Sequence, residues 1–480
     1  MTGIPETSSR VDGRTSRLGR LLRNPGSWVL VVAGAFCLAQ LLILDSSRFL
    51  TWDEAVYLSE VSPHVEAIGM GAHRARGTTF VVAPVAFVSD SMTVLRVYLA
   101  VVSGLGLYAA FAVWTRTIRW AAPIACAIFG SSWLVVFYGS AVYPNLYSAL
   151  LAVAAIGVAF WIEDVAGRGV YVVLAGLVTL AALVRPLDAL ILAMSLMVVG
   201  LITRGPRLSH LALTVAIGLG VGALPWAIEG WARFGDPLQR LELARQTVGG
   251  GLYNNVADYL HALDGSPGPV NRGASVNLLV LVALGVGGLL GGERRTRRVG
   301  FVALASSVMF VSPYLFATEP VIPRFVLPGL ALLSVAAGVG VTSLASRLGN
   351  RTWAVTVLAV ALAVILVWNI PALVDWSDRQ NRNTETALAL GEAIGEESAD
   401  DCFFMSPINF PGVSFASGCR GASLGESVES NQVRAREARE AGSTVFAVTT
   451  NPDPGEVLGA GWVCRPVSAL AERGWQLCAQ

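Results

Sequence analysis

The sequence predicts an α-helical polytopic membrane protein of about eleven spans with a small C-terminal α/β domain. Three observations carry that expectation. Of 480 residues, 54% are hydrophobic and only 14% are charged, against roughly 25% charged in a soluble domain. Apolar runs long enough to cross a bilayer recur from Trp28 to Ile370. After Pro371 the pattern changes to short alternating segments and polar helices.

Residues 1–26 are polar and basic, with Arg10, Arg14, Arg17, Arg20 and Arg23. The apolar run that follows is too long for a signal peptide's core, so an uncleaved first span with a cytoplasmic N-terminus is expected. Residues 27–370 form the membrane unit. Its expected spans are Trp28–Leu44, Met92–Trp114, Trp120–Tyr138, Leu146–Ile162, Val170–Val184, Leu187–Ile202, Leu211–Ile228, Val276–Leu290, Val299–Phe316, Phe325–Leu344 and Trp353–Ile370. Only Arg185-Pro186 divides the fifth from the sixth, and one continuous helix is the alternative. Every inter-span segment on the expected cytoplasmic side carries arginine, in keeping with the positive-inside rule. Long outer loops are then expected at 45–91 and 229–275, and an odd span count leaves the tail outside the cell membrane.

The tail, residues 371–480, reads as helices at Thr384–Ile394 and Val428–Ala441. Strands are expected near Cys402–Ser406, Ser443–Thr450, Trp462–Arg465 and Trp475–Cys478. It holds Cys402, Cys419, Cys464 and Cys478, an even set that fits two disulfides in an oxidising compartment. Pairing between sequence neighbours is expected among the three connectivities. A zinc site is the competing reading, though the spacing lacks close ligand pairs.

Chemistry gathers in the first outer loop. Asp53 and Glu54 follow the first span directly, where charge is costly to desolvate. A carboxylate there serves as general base toward a hydroxyl or as a metal ligand, and a helix-opening anion facing the dipole is the bland alternative. His64, His73, Arg74 and Arg76 follow, a cationic set suited to phosphate or to lipid headgroups. The chain contains no lysine, so any phosphate grip must come from arginine or histidine. Arg185 between two spans, and Glu319 and Arg324 in a proline-rich entry to the tenth, are further candidates. Arg96 inside the second span needs an acidic partner, for which Asp90 and Glu66 are the nearest choices. No P-loop or dinucleotide fingerprint is present, and the charge of +1 with no basic stripe gives no footing for nucleic acid.

Taken in order, Trp52-Asp53-Glu54-Ala55-Val56-Tyr57, the single Pro84 before Leu95-Arg96-Val97, Val184-Arg185-Pro186 and Arg324-Phe325-Val326-Leu327-Pro328 resemble the GT-C superfamily of membrane glycosyltransferases. Within it the chain most resembles the glycosyltransferase family 39 group, which includes dolichyl-phosphate-mannose protein mannosyltransferases and lipid A aminoarabinose transferases. It departs from the group in lacking a double proline before the second span, and in lacking the acidic residue some relatives carry in Gly139–Pro144.

The resemblance implies an inverting transfer of sugar from a polyprenyl-phosphate carrier to a protein, glycan or lipid acceptor on the outer face. Asp53 and Glu54 would be catalytic. Arg74, Arg76, Arg185 and Arg324 would bind the donor phosphate, and His64, His73, Tyr143 and Glu319 would line the cavity. No cofactor is expected; a divalent metal has no support in the motifs. A transporter or flippase for a lipid-linked substrate, or a non-enzymatic assembly factor, is the alternative from another class.

Overall fold

The computed structural model describes residues 23–480 apart from 64, 165–166, 204–207, 250, 264–272, 292, 348–350, 399–400 and 426; for 273–277, 290–291 and 351–368 it describes the backbone alone. Apolar runs become helices because a segment in hydrocarbon must satisfy its own backbone hydrogen bonds. In chain order these are α1 (Pro25–Ile43), α2 (Trp52–Ser59), α3 (Gly77–Ala86), α4 (Met92–Ala112), α5 (Thr115–Ile118), α6 (Ala121–Gly130), α7 (Trp133–Gly139) and α8 (Pro144–Ala159). They continue as α9 (Arg168–Val184), α10 (Pro186–Thr203), α11 (Leu208–Phe234), α12 (Pro237–Val248), α13 (Val256–Leu263), α14 (Gly273–Gly291), α15 (Arg294–Phe316), α16 (Leu327–Arg347) and α17 (Arg351–Glu397).

Among the described residues, seven helices are long and apolar enough to cross a membrane, or eight if α6 and α7 count as one span. Those two bend by 75° where the sequence suggested a straight third span. The expected fifth and eighth spans fall on the shorter apolar helices α9 and α14. Arg185 interrupts the chain between α9 and α10 with extended geometry (φ −156°, ψ 94°). Pro186 disfavours the helical conformation at the residue before it, and here the chain breaks at Arg185 instead of continuing as one helix.

The loop at 45–91 folds into α2 and α3, and the segment after Phe234 into α12 and α13. A second, smaller apolar core surrounds α2. It contains Phe49, Leu50, Ala55, Val56, Leu58, Val82, Leu95, Leu99 and Val142. Three residues from the far end of the chain, Leu388, Phe415 and Ala416, pack onto this core.

Helix α17 runs unbroken through Pro371 into the tail. There it meets a five-stranded mixed sheet of β1 (Cys402–Ser406), β2 (Arg420–Ser423), β3 (Thr444–Thr449), β4 (Val463–Pro466) and β5 (Gln476–Ala479). The strand order is β2-β1-β3-β5-β4. Pairs β1–β2 and β1–β3 are parallel; β3–β5 and β4–β5 are antiparallel. Helices α18 (Phe410–Ser417) and α19 (Val428–Glu440) complete the parallel half, with a short α20 (Gly455–Leu458). Strand β2 was not legible in the sequence. Disulfides join Cys402 to Cys419 and Cys464 to Cys478, the latter directly opposed in the β4–β5 register.

Candidate active site

Helix α2 begins at Thr51 with a capping box, Thr51-Trp52-Asp53-Glu54. Glu54 Oε2 accepts from the Thr51 N–H at 3.0 Å and from its hydroxyl at 2.9 Å. Its Oε1 accepts from the Val142 N–H at 3.0 Å and pairs with Arg96. Arg48 stands 4.0 Å away on the same oxygen. Glu54 has no exposed surface. Burial pushes its carboxyl upward, but Arg96 and Arg48 outweigh burial and hold it well below the ordinary range.

The catalytic role expected for Glu54 is therefore corrected. Glu54 is sealed inside the protein with both oxygens engaged, and it positions α2. The partner of Arg96 is Glu54 rather than Asp90 or Glu66. Arg96 also donates to the carbonyls of Arg48, Phe49 and Ser140, stitching three segments to the start of α2.

Asp53, about 100° further round the helix, faces different surroundings. Its Oδ1 accepts from Arg74 at 2.5 Å and its Oδ2 from Arg324 at 2.7 Å. The three side chains keep 20%, 12% and 17% of their surface exposed, so the cluster is recessed yet reachable. Burial raises the Asp53 carboxyl, but Arg324 and then Arg74 overcome it, and the net position is below the ordinary range.

Arg324 lies 4.6 Å over the Tyr143 ring. Tyr143 is buried, with its hydroxyl 2.6 Å from that of Thr51, so it serves as a shelf for the guanidinium. Arg185 stacks 4.7 Å over the Phe325 ring and 5.5 Å over Tyr314. Asp188 lies 3.7 Å from Arg185 Nε, while its own oxygens accept from Ser148 and Tyr314. Arg185 Nη1 is buried without a hydrogen-bond partner. Arg324 also lies 5.5 Å from the Phe325 ring, so the two guanidiniums share that ring, and Tyr57, one turn after Asp53, feels the charges of Asp53, Arg74, Arg185 and Arg324. Burial pushes its phenol up to about 12, and Asp53 adds to the effect. His73 borders the same group. Burial and then Arg74 push its imidazole down to about 4, with Asp53 opposing.

Other expected residues fall elsewhere. Arg76 is neutralised by Glu60 at 2.8 Å and Glu229 at 2.7 Å, away from Asp53. Glu319 is exposed against Gly249 at the end of α12. His64 lies outside the described residues. Among the described residues no three His, Cys, Asp or Glu side chains converge to hold a metal.

Three contributors escaped the sequence. Fully buried Arg240 on α12 donates to the carbonyls of Ala72 at 3.1 Å, Arg74 at 2.9 Å and Trp226 at 2.6 Å. It also pairs with Glu229 at 3.0 Å and stacks on Trp226 and Phe234. The backbone that presents Arg74 is thus fixed by α11 and α12. Arg48, 4.4 Å over the Phe137 ring, is the third. Burial and Arg96 push it down to about 10. Its place five positions before Asp53 was the one available hint; Arg240 and Glu229 gave none, because their contacts with the first outer loop span more than a hundred positions. Gly77 sets the last spacing. A Cβ there would stand 2.6 Å from the backbone of Leu183 and Val184, so only glycine lets the Arg74 loop lie against the end of α9 beside Arg185.

No family model and no curated protein sequence matches this chain. Its architecture does match solved structures. ArnT from Cupriavidus metallidurans bound to undecaprenyl phosphate superposes with a TM-score of 0.64 at 13% identity, over 94% of this chain and 97% of that one. The chain has the GT-C fold. Two further structures agree. An Archaeoglobus fulgidus oligosaccharyltransferase tethered to an acceptor peptide matches with a TM-score of 0.55 at 12% identity, over 88% of this chain and 69% of that one. The mycobacterial arabinofuranosyltransferase AftD matches at 0.53 and 14%, over 91% and 37%. In this fold, Asp53 and its arginines lie on the first inter-span loop, the α9–α10 break and the approach to α16, three segments that only the bundle brings together.

Proposed function

We propose that this protein is a membrane glycosyltransferase that moves a sugar from a polyprenyl-phosphate carrier to an acceptor on the extracytoplasmic face, inverting the anomeric carbon. The observation that carries it is Asp53: one recessed carboxylate gripped by guanidiniums from two distant segments, with Arg185 beside them. The fold, shared with enzymes whose structures hold undecaprenyl phosphate or an acceptor peptide, supports the same reading.

In the reaction, an acceptor hydroxyl attacks the anomeric carbon and the bond from that carbon to the phosphate oxygen breaks. Asp53 takes the hydroxyl proton, and the electron pair leaves with the lipid phosphate. That leaving group gains charge, so it needs cations more than a proton, and Arg185, Arg324 and Arg74 supply them. The unpartnered Nη1 of Arg185 gives it a donor to spare. Arg324 and Arg74 couple the two halves of the step. Phosphate charge that draws them off Asp53 raises the basicity of the carboxylate as the proton must be taken.

The flippase alternative is tested in the same experiment. Purified protein in sealed vesicles is given a radiolabelled polyprenyl-phosphate sugar. Label passing to an acceptor supports the transferase, and label crossing the bilayer on its carrier without transfer refutes it. The N-terminus is assigned to the cytoplasm and the tail to the outer side by loop arginines, which protease protection of the two ends checks.

A further inference from the structure

The tail domain touches α2, the helix that carries Asp53. Asn409 has left-handed geometry (φ 30°, ψ 46°), which asparagine tolerates better than most residues. Its carboxamide faces both ways. Oδ1 accepts from the Gly412 N–H at 3.3 Å, capping α18, and Nδ2 donates to the Leu50 carbonyl at 3.2 Å, one residue before the α2 cap. Next along, the Phe410 ring meets the Trp52 ring edge-on at 4.7 Å, and Phe415 meets Phe49 at 6.4 Å. Phe415 and Ala416 close the apolar core on which the buried face of α2 rests. Residues 409–416 all lie within the loop that Cys402–Cys419 closes. Ser414 braces that loop from inside by donating to the Cys419 carbonyl at 2.6 Å.

We propose that this disulfide-closed segment of the tail is a positioning clamp for α2, so that the extracytoplasmic domain sets the aim of Asp53. The effect on catalysis rests on the transferase reading above; the effect on α2 does not. Asn409 bonds a carbonyl adjoining the capping box, and the two aromatic contacts fall just before that box at Phe49 and within it at Trp52. A small displacement there moves Asp53 relative to Arg324 and Arg185, which belong to other helices. Misplacement on the scale of an ångström costs roughly a hundredfold in rate.

The test uses full-length protein and two measurements. Asn409→Asp keeps the cap on Gly412 but sets an oxygen against the Leu50 carbonyl. Cys402→Ser with Cys419→Ser opens the loop, and Cys464→Ser with Cys478→Ser removes the disulfide at the far edge of the sheet. Hydrogen exchange of residues 50–58 should quicken in the first two and not in the third. In the first two, kcat should fall roughly 10- to 100-fold while the donor KM stays put. Unchanged exchange in Asn409→Asp overturns the clamp, as does an equal effect from both disulfide pairs. Faster exchange with full kcat overturns its role in aiming Asp53. If wild-type protein transfers no sugar yet exchange responds as stated, the clamp stands and the transferase reading falls.

Discussion

Arg324 and Asp53 stand 271 positions apart and meet at 2.7 Å. The pair joins the loop after the first helix to the entry of α16, and Arg74 closes on the other carboxylate oxygen. Such a carboxylate is held in place by its partners, and its removal tests chemistry more than folding.

Asp53→Asn should leave the protein folded and reduce transfer by roughly 10²–10⁴-fold, the usual loss when a general base is removed. Steady-state kinetics beside a size-exclusion profile measures both. Full activity would end the candidacy of Asp53.

Glu54→Gln should act on stability. It leaves Arg96 and Arg48 buried without their counter-charge, and breaking a buried pair in this way costs about 3–5 kcal/mol. Thermal unfolding in detergent should show a clear loss, and an unchanged transition would contradict the structural role assigned here.

The acid limb of the pH–rate profile should be flat between pH 5 and 7. A carboxyl whose folded value is lowered keeps its charge above the ordinary value of 3.8 and loses it only below, so Asp53 stays ionised throughout this window. His73, at about 4 instead of 6.5, stays neutral across the same range. An inflection near 6.5 in kcat/KM would show that one of these two groups is in another environment.

Arg185→Ala should weaken donor binding. Losing charge-assisted hydrogen bonds worth about 1.5–3 kcal/mol raises the donor Kd roughly 10- to 150-fold. Titration with a polyprenyl phosphate that carries no sugar reads this directly. An unaltered Kd would remove Arg185 from the phosphate site.

Arg240→Lys should lower kcat although Arg240 lies behind the loop. A single ammonium cannot reproduce the forked contacts to the Ala72, Arg74 and Trp226 carbonyls. Its neighbour Arg233, about two-fifths exposed and paired within one helix, is the matched control, and Arg233→Ala should stay near wild type. Equal behaviour of the two variants would refute the special position of Arg240.

What was legible in the sequence follows the range of the forces involved. Spans are written in local hydropathy, so α1, α4, α8, α10 and α16 lie close to where apolar runs placed them. The α6–α7 bend was hidden because both sides of Gly130-Ser131-Ser132 are equally apolar. Asp53 and Glu54 are adjacent in sequence, yet Glu54 is taken up by the helix cap and Arg96 while Asp53 meets Arg74 and Arg324. Only burial separates them, and burial depends on Val142, Arg96 and Arg48. Arg76 looked equivalent to Arg74 until Glu60 and Glu229 claimed it. Cysteine pairing could be anticipated from proximity alone, whereas β2 is too short and too polar to announce itself.

Helix α17 is 47 residues long, about 70 Å at 1.5 Å per residue, and it begins in the bundle and ends under the sheet. It behaves as a mast fixed at both ends, without a swivel where the tail departs. A shortened protein ending near residue 370 would therefore lose the upper half of a rod along with the lobe mounted on it, and grafting a foreign lobe would demand the same rotational phase along the mast.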